Sequence, residues 1–200
     1  MHRAPTARLF VAVDPPGDVR EQLAAWARMA AREMSRRSGA PPRVLDAELL
    51  HVTLYFLGNR PTEEIDAIAA QLAACAGPAG DLSLGAPLWL PLRRPRALAV
   101  ELHDEQGWLA RLQRSVVAAY AELGESGPTT TPRQPGRPTK HRHFRPHVTV
   151  VRMRTNTAPR ERTLPPTPAL SFSPNELILY RSWLSPEGAN YEPLTSYAIG

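Results

Sequence analysis

The chain has 200 residues, 42% of them hydrophobic and 22% charged, which is enough apolar content for a sizeable core and excludes a wholly disordered protein. No apolar run approaches the roughly 18 residues that span a bilayer, and the N-terminus lacks the apolar stretch and cleavage site of a secretory leader, so a cytoplasmic, non-membrane protein is expected, one bilobal domain over residues 1–200. The net charge of +5 is concentrated: residues 126–160 hold eight basic side chains (Arg133, Arg137, Lys140, Arg142, Arg145, Arg152, Arg154, Arg160) and no acidic one, leaving 16 of the 24 basic residues against all 19 acidic ones elsewhere.

In chain order, "RLFVAVD" (8–14) has the β-branched and aromatic content of a strand, stopped by Pro15 and Pro16. Asp18 followed by Glu21 reads as a capping box for a helix with Val19, Leu23, Trp26, Ala30 and Met34 at helical spacing, closed by Gly39, Pro41 and Pro42. "HVTLYFLG" (51–58) reads as a strand ended by Gly58. Thr62 is then the expected N-cap of a second helix carrying Ile65, Ile68, Leu72 and Cys75, which Gly77 and Pro78 stop. Cys75, the one cysteine, has no disulfide partner and reads as core.

"DLSLG" and "RALAVEL" follow as strands, and residues 106–123 as a helix with Leu109, Leu112, Val116, Tyr120 and Leu123 on one face. Segment 125–143, rich in Pro, Thr and Arg, has no periodicity and reads as a long mobile loop. Its arginines suit a polyanionic partner such as nucleic acid, although a solvated surface loop explains the composition of this stretch equally well. "PHVTVVR", "ELILYRSWL" and "NYEPLTSYAI" complete the chain as strands, giving an α+β fold.

Two of these strands repeat one triplet, His51-Val52-Thr53 and His147-Val148-Thr149. Strand alternation puts His51, Thr53 and Tyr55 on one face, with Val52, Leu54 and Phe56 on the other, facing a core. His147 and Thr149 share a face in the same way. If the two strands flank one groove, the groove holds two imidazoles and two hydroxyls. An imidazole titrates near pH 6.5, so one of a pair can accept a proton while the other donates. The hydroxyls of Thr53 and Thr149 can donate to non-bridging phosphate oxygens, and Arg152 can add a charge-assisted bond to the same anion. A lone strand histidine is more often a packing residue. Two copies in matching context point to a catalytic pair.

The sequence resembles the two-histidine phosphoesterases, and within them the LigT-like RNA 2′,3′-cyclic phosphodiesterases, also described as 2′-5′ RNA ligases. The resemblance runs through "RLFVAVD", "LHVTLYFLG", "FRPHVTVVR" and "LILYRSWLSPEGANYEPL", in that order and spacing. It implies two antiparallel sheets related by pseudo-two-fold symmetry around a central cleft, with helices outside. It further implies cofactor-free hydrolysis of an RNA terminal 2′,3′-cyclic phosphate, on a tRNA fragment or oligonucleotide, to a 2′-phosphate. By the same resemblance His51 protonates the departing O3′ and His147 activates water; the near-symmetric motifs alone leave these roles open. Tyr180 and Tyr191 resemble cleft positions where a ring stacks on a base. The segment 125–143 is longer and richer in proline than the usual family connection, as a lid, an RNA-guiding arm or a surface insertion would be.

Two other readings compete. His141, His143 and His147 lie close enough in sequence for a three-histidine zinc site, though without H-E-x-x-H and among arginines that repel a dication. The chain can also be a module that binds RNA ends without turnover. His2 and His103 lack matching partners and read as surface residues; Trp26, Trp89, Trp108 and Trp183 are dispersed and read as core or partly buried anchors. No P-loop sequence supports ATP-driven ligation, and the lack of a coiled-coil repeat makes a monomer the expectation.

Overall fold

The first strand, β1 (Thr6–Val13), is apolar on both faces, and the computed structural model uses both. Leu9, Val11 and Val13 enter the main core, while Phe10 and Ala12 join a second, smaller cluster with Ile178 and Tyr180. β1 pairs antiparallel with β3 (Val52–Pro61) and with β8 (Glu176–Ser185), and β9 (Gly188–Ala198) adds to β8, so the first sheet has the order β3-β1-β8-β9. The second sheet, also antiparallel, runs β2 (Arg43–Val44), β6 (His147–Arg152), β5 (Ala97–His103), β4 (Leu82–Leu90), β7 (Ser171–Phe172). The structure describes residues 5–38, 42–92, 94–121, 144–153, 164–186 and 188–200. The expected loop 125–143 lies outside them, as do His2, Leu123, His141 and His143.

Three helices cover the sheets from outside. α1 (Gly17–Ser38) lies against β2 and β6 and buries Val19, Leu23, Trp26, Ala30 and Met34, the stripe its spacing predicts. α2 (Ile65–Ala73) and α3 (Trp108–Tyr120) cover the first sheet and are joined by the Tyr120 hydroxyl, which donates to the Ile68 carbonyl at 2.9 Å. Valine and leucine rows from both sheets, among them Val52, Leu54, Leu98, Val100, Val148 and Val150, form one continuous core. Full burial of each such side chain contributes about 1.5–3 kcal/mol. The opposite faces of the two sheets bound the cleft. The architecture is the expected α+β arrangement of two antiparallel sheets with outer helices. Among the described residues no helix is long and apolar enough to cross a membrane.

Local details depart from the sequence-based expectations for identifiable reasons. α1 starts at Gly17, with the Arg20 amide already bonded to the Pro16 carbonyl, so Asp18 sits in the first turn, beside the positive end of the helix dipole, and does not cap it. Thr62 opens a short 3-10 turn and α2 begins only at Ile65; the Thr62 amide is tied to the Pro5 carbonyl instead of serving a cap. Cys75 lies beyond the end of α2 and is only partly buried. "DLSLG" grows into the nine-residue β4. Trp183, expected to be at least partly buried, is 46% exposed on β8, whereas Trp26 and Trp89 are buried and His103 is on the surface as expected. The two-residue strands β2 and β7 were not foreseen, being too short to show alternation.

Candidate active site

Both H-x-T strands carry the same irregularity at the same place. In β3 the register against β1 shifts between Tyr55 and Thr53, leaving Leu54 as an extra residue; in β6 the register against β5 shifts between Val151 and Thr149, leaving Val150 extra. A bulge of this kind reverses which face the following residues occupy. Tyr55 therefore turns into the core, stacked on Tyr120 with centroids 6.0 Å apart, and Phe56 turns into the cleft. This corrects the simple alternation, which assigned these two residues to the opposite faces. Phe56 is 37% exposed and 5.9 Å from Phe10. The same reversal in β6 puts Val151 in the core and Arg152 on the cleft face, so Phe56 and Arg152 occupy equivalent positions, each five residues after its histidine.

A second shift in β3, between Gly58 and Phe56, makes Leu57 another extra residue and buries it. Gly58 does not end the strand. It lies inside β3 with φ +74°, the left-handed backbone that glycine supplies next to a bulge.

The histidines are held alike. His51 Nδ1 lies 2.9 Å from the Leu49 carbonyl, presented by the 3-10 turn Ala47–Leu49, and His147 Nδ1 lies 2.7 Å from the Arg145 carbonyl. A carbonyl only accepts, so each Nδ1 carries the proton, and Nε2 is left as the free lone pair of the neutral ring. The threonines match as well: Thr53 lies opposite Ala12 and Thr149 opposite Ala99, a methyl group in each case.

The electrostatics tie both copies to one space. Burial pushes His51 down to about 4; its hydrogen bond to Leu49 opposes this, and the nearby charges of Arg152 and His147 add to it. His147 is lowered too, chiefly by burial, against its bond to Arg145 and with the Arg145 and Arg152 charges adding. Glu101, directly across from His147 in β5, works in the opposite sense while holding the Arg145 guanidinium at 2.9 Å. Arg152 thus acts on both imidazoles.

On the first sheet an aromatic floor supports His51. Its ring is 4.9 Å from Phe10, 4.9 Å edge-on to Tyr191 and 6.0 Å from Tyr180. Tyr180 lies flat on Phe10 at 5.1 Å and is only 7% exposed. Its hydroxyl donates to Asp14 Oδ2 at 2.8 Å, and Arg20 reaches the same oxygen at 3.3 Å. Burial lifts the Asp14 carboxyl to about 6, with Tyr180 and Arg20 opposing the rise.

The structure brings His51, Thr53, His147, Thr149, Arg152, Tyr180 and Tyr191 to the cleft faces of the two sheets. Sequence reasoning missed Phe10, Asp14, Phe56 and Glu101. The apolar character of both faces of "RLFVAVD" was a signal that Phe10 serves a second surface, and Gly58 within an apolar run was a signal of a bulge.

The family model described as "2′-5′ RNA ligase superfamily" matches residues 15–182. The chain is 32% identical over 196 residues to an RNA 2′,3′-cyclic phosphodiesterase of Thermus thermophilus, covering 96% of this chain and 90% of the relative. It is 28% identical over 202 residues to the RNA 2′,3′-cyclic phosphodiesterase of Escherichia coli, covering 96% of each. The crystal structure of E. coli LigT complexed with 3′-AMP has a TM-score of 0.74 to it at 26% identity, covering 98% of this chain and 99% of that one. With a family match across most of its length and the paired motifs in place, the chain belongs to the 2′-5′ RNA ligase superfamily.

Proposed function

We propose that this protein hydrolyses the terminal 2′,3′-cyclic phosphate of RNA, a tRNA fragment or oligonucleotide end, to a 2′-phosphate. His51 and His147 are the proton-transfer pair, and no metal takes part. The observation that carries the reading is the matched pair of imidazoles, each with Nδ1 tied to the carbonyl two residues back and Nε2 left free, both under the charge of Arg152. Relatives named as phosphodiesterases of this type support the substrate, and the 3′-AMP complex of E. coli LigT supports a nucleotide in the cleft.

In the proposed step, one Nε2 takes a proton from water as its oxygen attacks phosphorus. The P–O3′ bond breaks on the opposite side, and the other imidazole, protonated, gives its proton to O3′, leaving a 3′-hydroxyl and a 2′-phosphate. The Thr53 and Thr149 hydroxyls donate to the non-bridging oxygens, and Arg152 offsets their charge. By family resemblance His147 is the base and His51 the acid. With His51 at about 4 in the free protein, that assignment requires the phosphate's negative charge to raise it on binding. A ribose 5′-hydroxyl in place of water would give a 2′-5′ linkage by the same transfers.

Tyr191 and Phe56 offer ring surface to a base, whereas Tyr180, buried against Phe10, positions the floor under His51. The test is product analysis of a short RNA with a 2′,3′-cyclic phosphate end, with and without chelator. A 2′-phosphate formed at the same rate in both arms is expected. Chelator-sensitive turnover would favour the histidine-cluster zinc reading, and binding without turnover the non-catalytic module.

A further inference from the structure

β2 is only two residues long, yet it sets two arginines side by side. Arg43 lies directly opposite Arg152 in the β2–β6 register, on the face away from the core, since the neighbouring pair Val44 and Val151 packs against it. Like charges directly opposed across strands are unfavourable by themselves. Among the described residues no carboxylate forms an ion pair with either arginine, although other arginines of the chain, Arg20, Arg145 and Arg181, do have such partners.

The Arg43 side chain extends across the end of the cleft to the β8–β9 hairpin. A Cβ at position 188 would fall on its guanidinium, and Gly188 has φ +128°, so glycine there both admits the arginine and suits the backbone. The turn around it is fixed by Asn190, whose side-chain amide donates to the Ser185 hydroxyl and the Gly188 carbonyl. The result is a second cation beside Arg152, one strand further out and lying between β2 of one sheet and the β8–β9 hairpin of the other.

We propose that Arg43 binds the internucleotide phosphate preceding the terminal one, making it a specificity residue for RNA chains over mononucleotides. This rests on the hydrolase reading for the identity of the terminal group. Arg152 faces the terminal phosphate with the two imidazoles, and Arg43, one strand further out, meets the next phosphate of the chain. A single-stranded RNA entering past the hairpin thereby relieves the repulsion between the two guanidinium groups.

The test compares binding of two acyclic probes, 3′-AMP and a fluorescent triadenylate ending in a 3′-phosphate, to wild type, Arg43→Gln and Arg43→Lys. Arg43→Gln is expected to weaken the triadenylate at least tenfold more than it weakens 3′-AMP, and to flatten the salt dependence of triadenylate binding by about 0.7 in log–log slope, one phosphate contact on a single strand. Arg43→Lys should recover most of the slope. Gly188→Ala, which displaces the guanidinium without removing its charge, should reproduce the selective loss, with thermal melts confirming that all three variants fold. Equal weakening of both probes, no weakening, or a wild type that does not prefer the triadenylate would overturn the assignment. Turnover of a cyclic-phosphate end by wild type is measured in parallel: its absence defeats the hydrolase reading, while the binding ratio still decides the role of Arg43.

Discussion

His51 and His147 make the same hydrogen bond, Nδ1 to the carbonyl oxygen two residues earlier, although one carbonyl comes from a 3-10 turn and the other from the irregular segment before β6. Two different local conformations thus select one tautomer, with Nε2 free of a backbone partner. Nitrogen chemical shifts at neutral pH should therefore report both rings as neutral with the proton on Nδ1. An Nε2–H signal from either ring would contradict this.

The low value of His51, about 4, arises first from burial and then from positive neighbours, so adding negative charge should reverse part of it. Titration of His51 by NMR is expected to move upward on saturation with 3′-AMP, with net proton uptake on binding seen by calorimetry in buffers of different ionisation enthalpy. Arg152→Gln should raise the free-state value as well, because it removes a charge that lowers it. A value insensitive to both changes would place His51 away from the bound anion.

Stability against pH contains opposing contributions, in which the lowered His147 acts in the same sense as His51 and Asp14 acts against both. His51 is depressed below its unfolded value, so between pH 6.5 and about 4 the folded state holds fewer protons and loses stability as pH falls. Asp14 is raised from 3.8 to about 6, so between those values the folded state holds more protons and gains stability as pH falls. Asp14→Asn removes the second effect only. Its melting temperature should drop more steeply than that of wild type between pH 6.5 and 4.5, and parallel curves would show that Asp14 is not raised.

The bulge after each threonine makes a prediction that simple alternation reverses. Leu54 is buried at the bulge and Phe56 lies on the cleft, so Leu54→Ala should cost about 2–5 kcal/mol in denaturant unfolding while Phe56→Ala costs far less. Phe56→Ala should instead weaken RNA binding. A large stability loss for Phe56→Ala would mean that β3 lacks the register shift.

The parts legible in the sequence were those carried by periodicity. The stripe Val19, Leu23, Trp26, Ala30, Met34 placed α1, and alternation placed the strands bearing His51 and His147. The face of Phe56 was lost because a bulge inserts one residue without changing composition; only Gly58, read as a terminator, marked the irregular stretch. Arg152 could be named from its motif, but its turn into the cleft depends on Val150 being extra, which no pattern in "HVTVVR" reveals. Arg43 was invisible for a different reason: a two-residue strand has no period, and its meaning comes wholly from its partner Arg152 and from Gly188, far away in the chain.

The central claim is that one phosphorus centre is served by two imidazoles from two sheets. Its most direct test is the single-turnover rate on a short RNA ending in a 2′,3′-cyclic phosphate, in chelator, for wild type, His51→Ala, His147→Ala and the double variant. Each single substitution should slow cleavage roughly 100- to 10,000-fold, and the double variant should be slower than either single one by much less than the product of the two effects. Retention of the wild-type rate by either single variant, with the protein folded, would contradict the account.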